Sequence, residues 1–275
     1  MNKRCKSLAW FFKNSAIKEM VQIEHFKLKA IFFDIDDTLI PTTQHVREVR
    51  KQGLDDIIDF MRIDGLKFSK QRVYKTFKQV LEEFGPDHKN HFGTTIERLK
   101  FVPPEMRSKY TSAGTLGYRQ GKKLRPYPAV TSTLSILRQE GYGLYGVSKG
   151  LGVHQWGKII ASTLNLQLNN SFITSDYNFK EKSESFYQKI LETLSLEGKY
   201  CLMVGDNVDN DVIPARKCGI HTARVLTGKY KKGPGKAEDD ADYKIRKFEE
   251  VLKIILKIEI KENAKLKSLI DKITK

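Results

Sequence analysis

A chain of 275 residues with 40% hydrophobic and 30% charged residues has the length and composition of a globular protein that buries one substantial core, with room for a second small domain. No apolar run approaches the roughly 18 residues of a membrane span, and the short apolar patch near the N-terminus lacks the length and cleavage site of a signal peptide. The net charge of +16 sits mainly at the ends, where residues 1–29 carry seven Lys/Arg against two acids and residues 229–275 fourteen against nine, so it reads as a solvated lysine-rich surface rather than a nucleic-acid footprint.

In chain order, residues 1–28 form an N-terminal extension, and residues 29–34 read as a buried strand because Ala30, Ile31, Phe32 and Phe33 are continuously apolar. Residues 45–120 change character: they are polar and helical in period, with Val73, Phe77, Val80, Leu81 and Phe84 three or four apart, and Gly85-Pro86 and Pro103-Pro104 punctuate them. Arg125–Pro128 then opens an alternation of helix 129–140, strand 142–147, helix 153–164, strand 171–174, helix 184–195, strand 200–204, helix 210–218 and strand 220–225. Such alternation predicts an α/β fold, a Rossmann-like parallel sheet with helices on both faces. The core is expected at 29–44 and 121–250, interrupted by a helical insertion at 45–120. A C-terminal tail, 251–275, is amphipathic, with Leu266, Leu269, Ile270 and Ile273 on one face; packing on the sheet and pairing in a homodimer are both open. Cys5, Cys201 and Cys218 show no CxxC spacing and no even pairing, which points to free thiols in a reducing cytoplasm.

Functional groups of a parallel sheet gather beyond the carboxyl ends of its strands. Asp34 ends the first strand and Asp36 follows it; Ser148 follows the second. Asp206 follows the fourth, in CLMVGDNVDND, with Gly205 allowing a sharp exit and Asp211 five residues beyond Asp206. Carboxylates concentrated on one edge repel unless a cation compensates, and oxygen-only ligands suit Mg²⁺. Asp is also common in helix caps and acidic turns, so a lone DxD says little; DxDxT after one strand with GDxxxxD after a later one says much more. Asp37 reads as a solvated acidic neighbour. His88 and His91, three apart without cysteine or acidic partners, do not read as a zinc site.

FFDIDDTL, GVSKG, a lysine near 180 and VGDNVDND resemble, in order and spacing, the four motifs of the haloacid dehalogenase superfamily. The insertion at 45–120 resembles the helical cap of subfamily I, and LRPYPAV and DDADYKI resemble its phosphatase-like subfamily IA members. The resemblance covers roughly residues 29–230 and implies a Mg²⁺-dependent hydrolase of a small phosphorylated metabolite. By that resemblance Asp34 is the nucleophile that forms an aspartyl-phosphate, and Asp36 the acid and base, its backbone carbonyl also a metal ligand. Asp206 completes the metal site with Asp34, and Asp211 holds a metal-bound water or supports Asp206. Thr38 steadies the Asp36 loop, Ser148 binds phosphoryl oxygens, and a lysine neutralises the charge. Family dehalogenases lack an acid at the position of Asp36, so its presence favours phosphate esters. Lys182, seven residues after Ser175 and at the start of a helix, is preferred for the lysine over its competitor Lys180. Two departures stand out: Ser183 replaces the usual proline, and SKG sets Lys149 beside Ser148, as an added phosphate contact or a solvent-facing residue. The rival readings are a nucleic-acid end phosphatase and a catalytically silent protein that kept the metal site.

Overall fold

The computed structural model describes residues 28–85, 88, 90–120, 123–227 and 241–262. Cys5, most of the N-terminal extension and the apolar face at 266–273 lie outside them. In chain order come β1 (Ala30–Phe33), the helices α1 (Thr42–Ile63), α2 (Lys70–Phe84), α3 (His91–Arg98) and α4 (Pro104–Gln120), then α5 (Val130–Gln139), β2 (Gly143–Ser148) and α6 (Gly152–Ala161). There follow β3 (Asn170–Ile173), α7 (Glu184–Leu194), β4 (Cys201–Gly205), α8 (Ile213–Lys217), β5 (His221–Val225), β6 (Tyr243–Ile245) and α9 (Val251–Glu262). The six strands form one parallel sheet in the order β3-β2-β1-β4-β5-β6.

The run AIFF explains why β1 is central. Side chains alternate across a strand, so Ile31 and Phe33 enter one core and Ala30 and Phe32 the other. The first core gathers Leu134 of α5 and Val251, Ile255 and Ile258 of α9; the second gathers Phe186, Tyr187 and Ile190 of α7 with Met203 of β4. A strand covered on both faces has no room for the polar alternation of a half-exposed one. Helix α9 is thus part of this core, and its buried Glu259 accepts from the Leu28 N–H at 3.0 Å. Strand β6 escapes sequence reading because it is three residues long and follows a polar, acidic run. The helix expected at 210–218 is broken in two, a π-helical turn at Val208–Val212 followed by α8.

The chain divides into two compact units, Thr43–Lys123 and the remainder. Within the first, Leu54, Ile57 and Met61 of α1 meet Val73 and Phe77 of α2, Phe92 and Ile96 of α3 and Tyr110 of α4. Phe84 does not join that core: it is about half exposed, between the His88 ring, 4.7 Å away, and the Arg98 guanidinium at 5.3 Å. His88 and His91 bond to the Thr94 hydroxyl and the Gly85 carbonyl. Among the described residues no helix is long and apolar enough to cross a membrane.

Candidate active site

The strand order reverses between β1 and β4, and the candidate residues collect at the carboxyl ends there. The Asp34 N–H donates to the Val204 carbonyl at 2.9 Å, which carries the sheet pairing one residue beyond β1 and holds Asp34 against the end of β4. Asp206 leaves β4 through Gly205, where an added Cβ would stand 2.4 Å from the Asp211 carboxyl carbon; only glycine fits. Asn207 organises the π-turn. Its Oδ1 accepts from the N–H groups of Asp209 and Asn210 at 2.9 and 3.2 Å, and its own N–H donates to Asp211 Oδ2 at 3.0 Å. Lys182 arrives just before α7, capped by Ser183, whose hydroxyl accepts from the Phe186 N–H at 3.3 Å. The ammonium donates to Asp34 Oδ1 at 2.6 Å, to the Val147 carbonyl at 3.4 Å and to Asp211 Oδ1.

Asp34, Asp206 and Asp211 are all buried, and one carboxylate oxygen from each lies within 4.8 Å of the other two. Burial pushes the Asp34 carboxyl up to about 7, with Lys182 opposing and Asp211 and Asp36 reinforcing. Burial and the charges of Asp34 and Asp211 push Asp206 further, to about 9. Desolvation works against the Lys182 charge, yet Asp211 and Asp34 beside it hold its pKa well above the ordinary lysine value. One ammonium therefore faces three carboxylates, two of which are reluctant to ionise. A buried, oxygen-only donor set with surplus negative charge fits a hard divalent cation such as Mg²⁺. Both oxygens of Asp211 already accept hydrogen bonds, from Lys182 and Asn207, which suits a supporting role better than direct ligation.

The other candidates fall around this cluster. The Asp36 carboxylate turns aside to Lys158 and Thr42, with Thr42 Oγ1 donating to its Oδ1 at 2.5 Å. Thr38 is buried, and its hydroxyl makes no hydrogen bond among the described residues. Ser148 is buried at the carboxyl end of β2. Lys149 is exposed and pairs with Glu181 at 2.5 Å, and Lys180 is exposed too, so neither joins the buried cluster. Asp37 corrects the sequence expectation of a solvated acid. It is only 6% exposed and adopts φ +60°; its N–H donates to the Ile40 carbonyl at 2.7 Å and its carbonyl accepts from the Thr227 hydroxyl at 2.5 Å. Asp tolerates the left-handed conformation better than most residues, which is the local reason an acid stands at this sharp turn.

The family model for haloacid dehalogenase-like hydrolases matches residues 28–219. The chain belongs to that family. Among curated relatives, a glyceraldehyde 3-phosphate phosphatase from Methanopyrus kandleri is 29% identical over 233 residues, 83% of this chain and 97% of the relative. A phosphoglycolate phosphatase from Aquifex aeolicus is 29% identical over 209 residues, 73% of this chain and 86% of the relative. The solved HAD phosphatase from Thermococcus onnurineus shares the fold at TM-score 0.53 and 23% identity, over 83% of this chain and 98% of that one.

Two residues of this haloacid dehalogenase-like hydrolase went unnoticed in the sequence. Buried Arg224, whose Nε donates to the Asp206 carbonyl at 3.2 Å, sits inside the largely buried strand β5, and the signal for it in the sequence is a charge within a strand expected to be covered on both faces. Lys158 gives no such signal. It is one lysine in the amphipathic helix GVHQWGKIIA, 122 residues from its partner Asp36, and only the strand order brings the two together.

Proposed function

We propose that this hydrolase is a Mg²⁺-dependent phosphatase of small phosphate monoesters that works through an aspartyl-phosphate on Asp34. One observation carries the reading: a buried carboxylate, Asp34, is bonded to a buried lysine and clustered with Asp206 and Asp211 at the switch point of the sheet. That arrangement supplies a nucleophile and a compensating cation in a low-dielectric site, where fixed charges act most strongly on a transferring phosphoryl group. In the first step an Asp34 oxygen attacks phosphorus, the bond from phosphorus to the ester oxygen breaks, and Asp36 gives the departing alkoxide its proton. In the second, Asp36 takes a proton from water as that water attacks phosphorus, and the bond to Asp34 breaks to release inorganic phosphate. Lys182 balances the charge that phosphate adds beside Asp34, and Ser148 donates to a phosphoryl oxygen. The carboxylates of Asp34 and Asp206 and the Asp36 carbonyl, with Asp211 in support, would hold Mg²⁺, which would supply further neutralisation of the phosphoryl charge. The names of the relatives, glyceraldehyde 3-phosphate phosphatase and phosphoglycolate phosphatase, favour a phosphorylated two- or three-carbon metabolite as substrate. We assign substrate selection to the helical insertion at 45–120.

Phosphate release from a panel of phosphorylated metabolites, assayed with Mg²⁺, Ca²⁺ or EDTA, tests the reading. Turnover with Mg²⁺, its loss in EDTA and weak support by the larger Ca²⁺ ion are expected. Full turnover in EDTA, or none on any ester, would overturn it.

A further inference from the structure

We infer that Lys158 is the positioning residue for Asp36, holding its carboxylate at the rim of the site and out of the buried carboxylate cluster; this deepens the phosphatase reading and rests on it. The Lys158 ammonium donates to both Asp36 oxygens, at 2.6 Å to Oδ1 and 2.5 Å to Oδ2, while Thr42 takes a second position on Oδ1. Three hydrogen bonds from two donor groups converge on one carboxylate.

The arrangement has a specific cause in the helix. Ile159 of α6 is buried in the core that also holds Ile35 and Ile173, so its neighbour Lys158 is brought to the strand ends and reaches over to Asp36. The side chains of Lys158 and Asp36 remain 24% and 33% exposed, against 3% and 8% for Lys182 and Asp34. Ion pairs at such exposure contribute little to folding, so stability does not account for a two-oxygen contact.

Electrostatics supplies a better reason. Asp36 is two residues from Asp34, and two carboxylates so close in the chain repel. A carboxylate on a short loop, left to choose its rotamer, could swing toward any cation bound by Asp34 and Asp206 and be lost to proton transfer. A fixed ammonium on the far side removes that alternative. Lys182 and Lys158 thus divide the work: the first faces the nucleophile from inside, and the second pins the acid from outside.

Kinetics of Lys158→Met, which keeps the apolar stem, and Lys158→Arg tests this. The probes are an alkyl ester, 2-phosphoglycolate or glyceraldehyde 3-phosphate, and the activated aryl ester p-nitrophenyl phosphate, both at saturating Mg²⁺. The readout is kcat/KM, which covers steps up to formation of the aspartyl-phosphate. Lys158→Met should lose about 10- to 100-fold on the alkyl ester, part of the roughly 10²–10⁴ that a positioned proton donor contributes, and under about 3-fold on the aryl ester. Lys158→Arg should recover most of the alkyl rate. In an Asp36→Asn background, Lys158→Met should add almost nothing, because the residue acts through Asp36. Equal losses on both esters, or full additivity with Asp36→Asn, would overturn the inference and leave the phosphatase reading standing. A wild-type protein inactive on every ester would remove both.

Discussion

At the scale of single residues, the clearest contrast is between two lysines two positions apart. Lys182 is buried against Asp34 and Asp211; Lys180 is exposed. Lys182→Ala leaves two buried carboxylates facing each other without their ammonium, a loss that transfer of a charged phosphoryl group feels directly. Its kcat should fall by at least about 10²-fold, while Lys180→Ala should stay within about 3-fold of wild type. Phosphate-release assays on the two variants check this, and the reverse order would move the lysine's role by two residues. Asp34, Ser148 and Asp206 were legible in the sequence because each stands at or just beyond a strand end, Asp211 because it follows Asp206 within the same motif, and Lys182 because it stands seven residues after Ser175 at the start of a helix. What was not legible depends on contacts between distant segments. Lys158 owes its place to helix packing, and Asp37 its burial to a left-handed turn that Thr227, 190 residues away, closes over.

At the scale of elements, β1, β2 and β4 follow from apolar runs and α5 and α7 from amphipathic period, because in each the burial pattern repeats along the segment itself. The exceptions are short or distorted: β6 has three residues, and the segment after Asp206 makes a π-turn before it becomes a helix. That turn is where a substitution should matter most. Gly205 leaves no space for a methyl group beside Asp211, whereas an added Cβ on Gly157 in α6 meets nothing within 4 Å. Gly205→Ala should cost about 1–3 kcal/mol through overpacking and displace Asp211 from Lys182, lowering both the melting temperature and kcat. Gly157→Ala should be neutral or stabilise by up to about 1 kcal/mol through helix propensity. Thermal melts and phosphate release on the pair read both effects; matched behaviour would mean that the turn relaxes around the methyl.

At the scale of the whole molecule, the buried carboxylates should make the metal-free protein sensitive to alkali. Asp206, near 3.8 in an unfolded chain, stands at about 9 in the fold. Between pH 7 and 9 the unfolded chain has already given up that proton while the folded chain still holds it. The folded state then binds more protons, so stability falls as pH rises through this window. In EDTA the melting temperature should drop by several degrees from pH 7 to 9, at about 2–4 °C per kcal/mol for a chain of this size. Added Mg²⁺, which favours the ionised carboxylates, should stabilise more at pH 9 than at pH 7. A flat or rising melting temperature in EDTA would show that Asp206 ionises without strain. The order of the sheet bears on synthesis as well. β1 leaves the ribosome before both of its neighbours, residues 143–146 and 201–204. At roughly 5–20 residues per second, on the order of ten seconds pass before the second neighbour emerges. Through that interval AIFF keeps at least one unpaired, sticky edge, at the strand that later lies deepest.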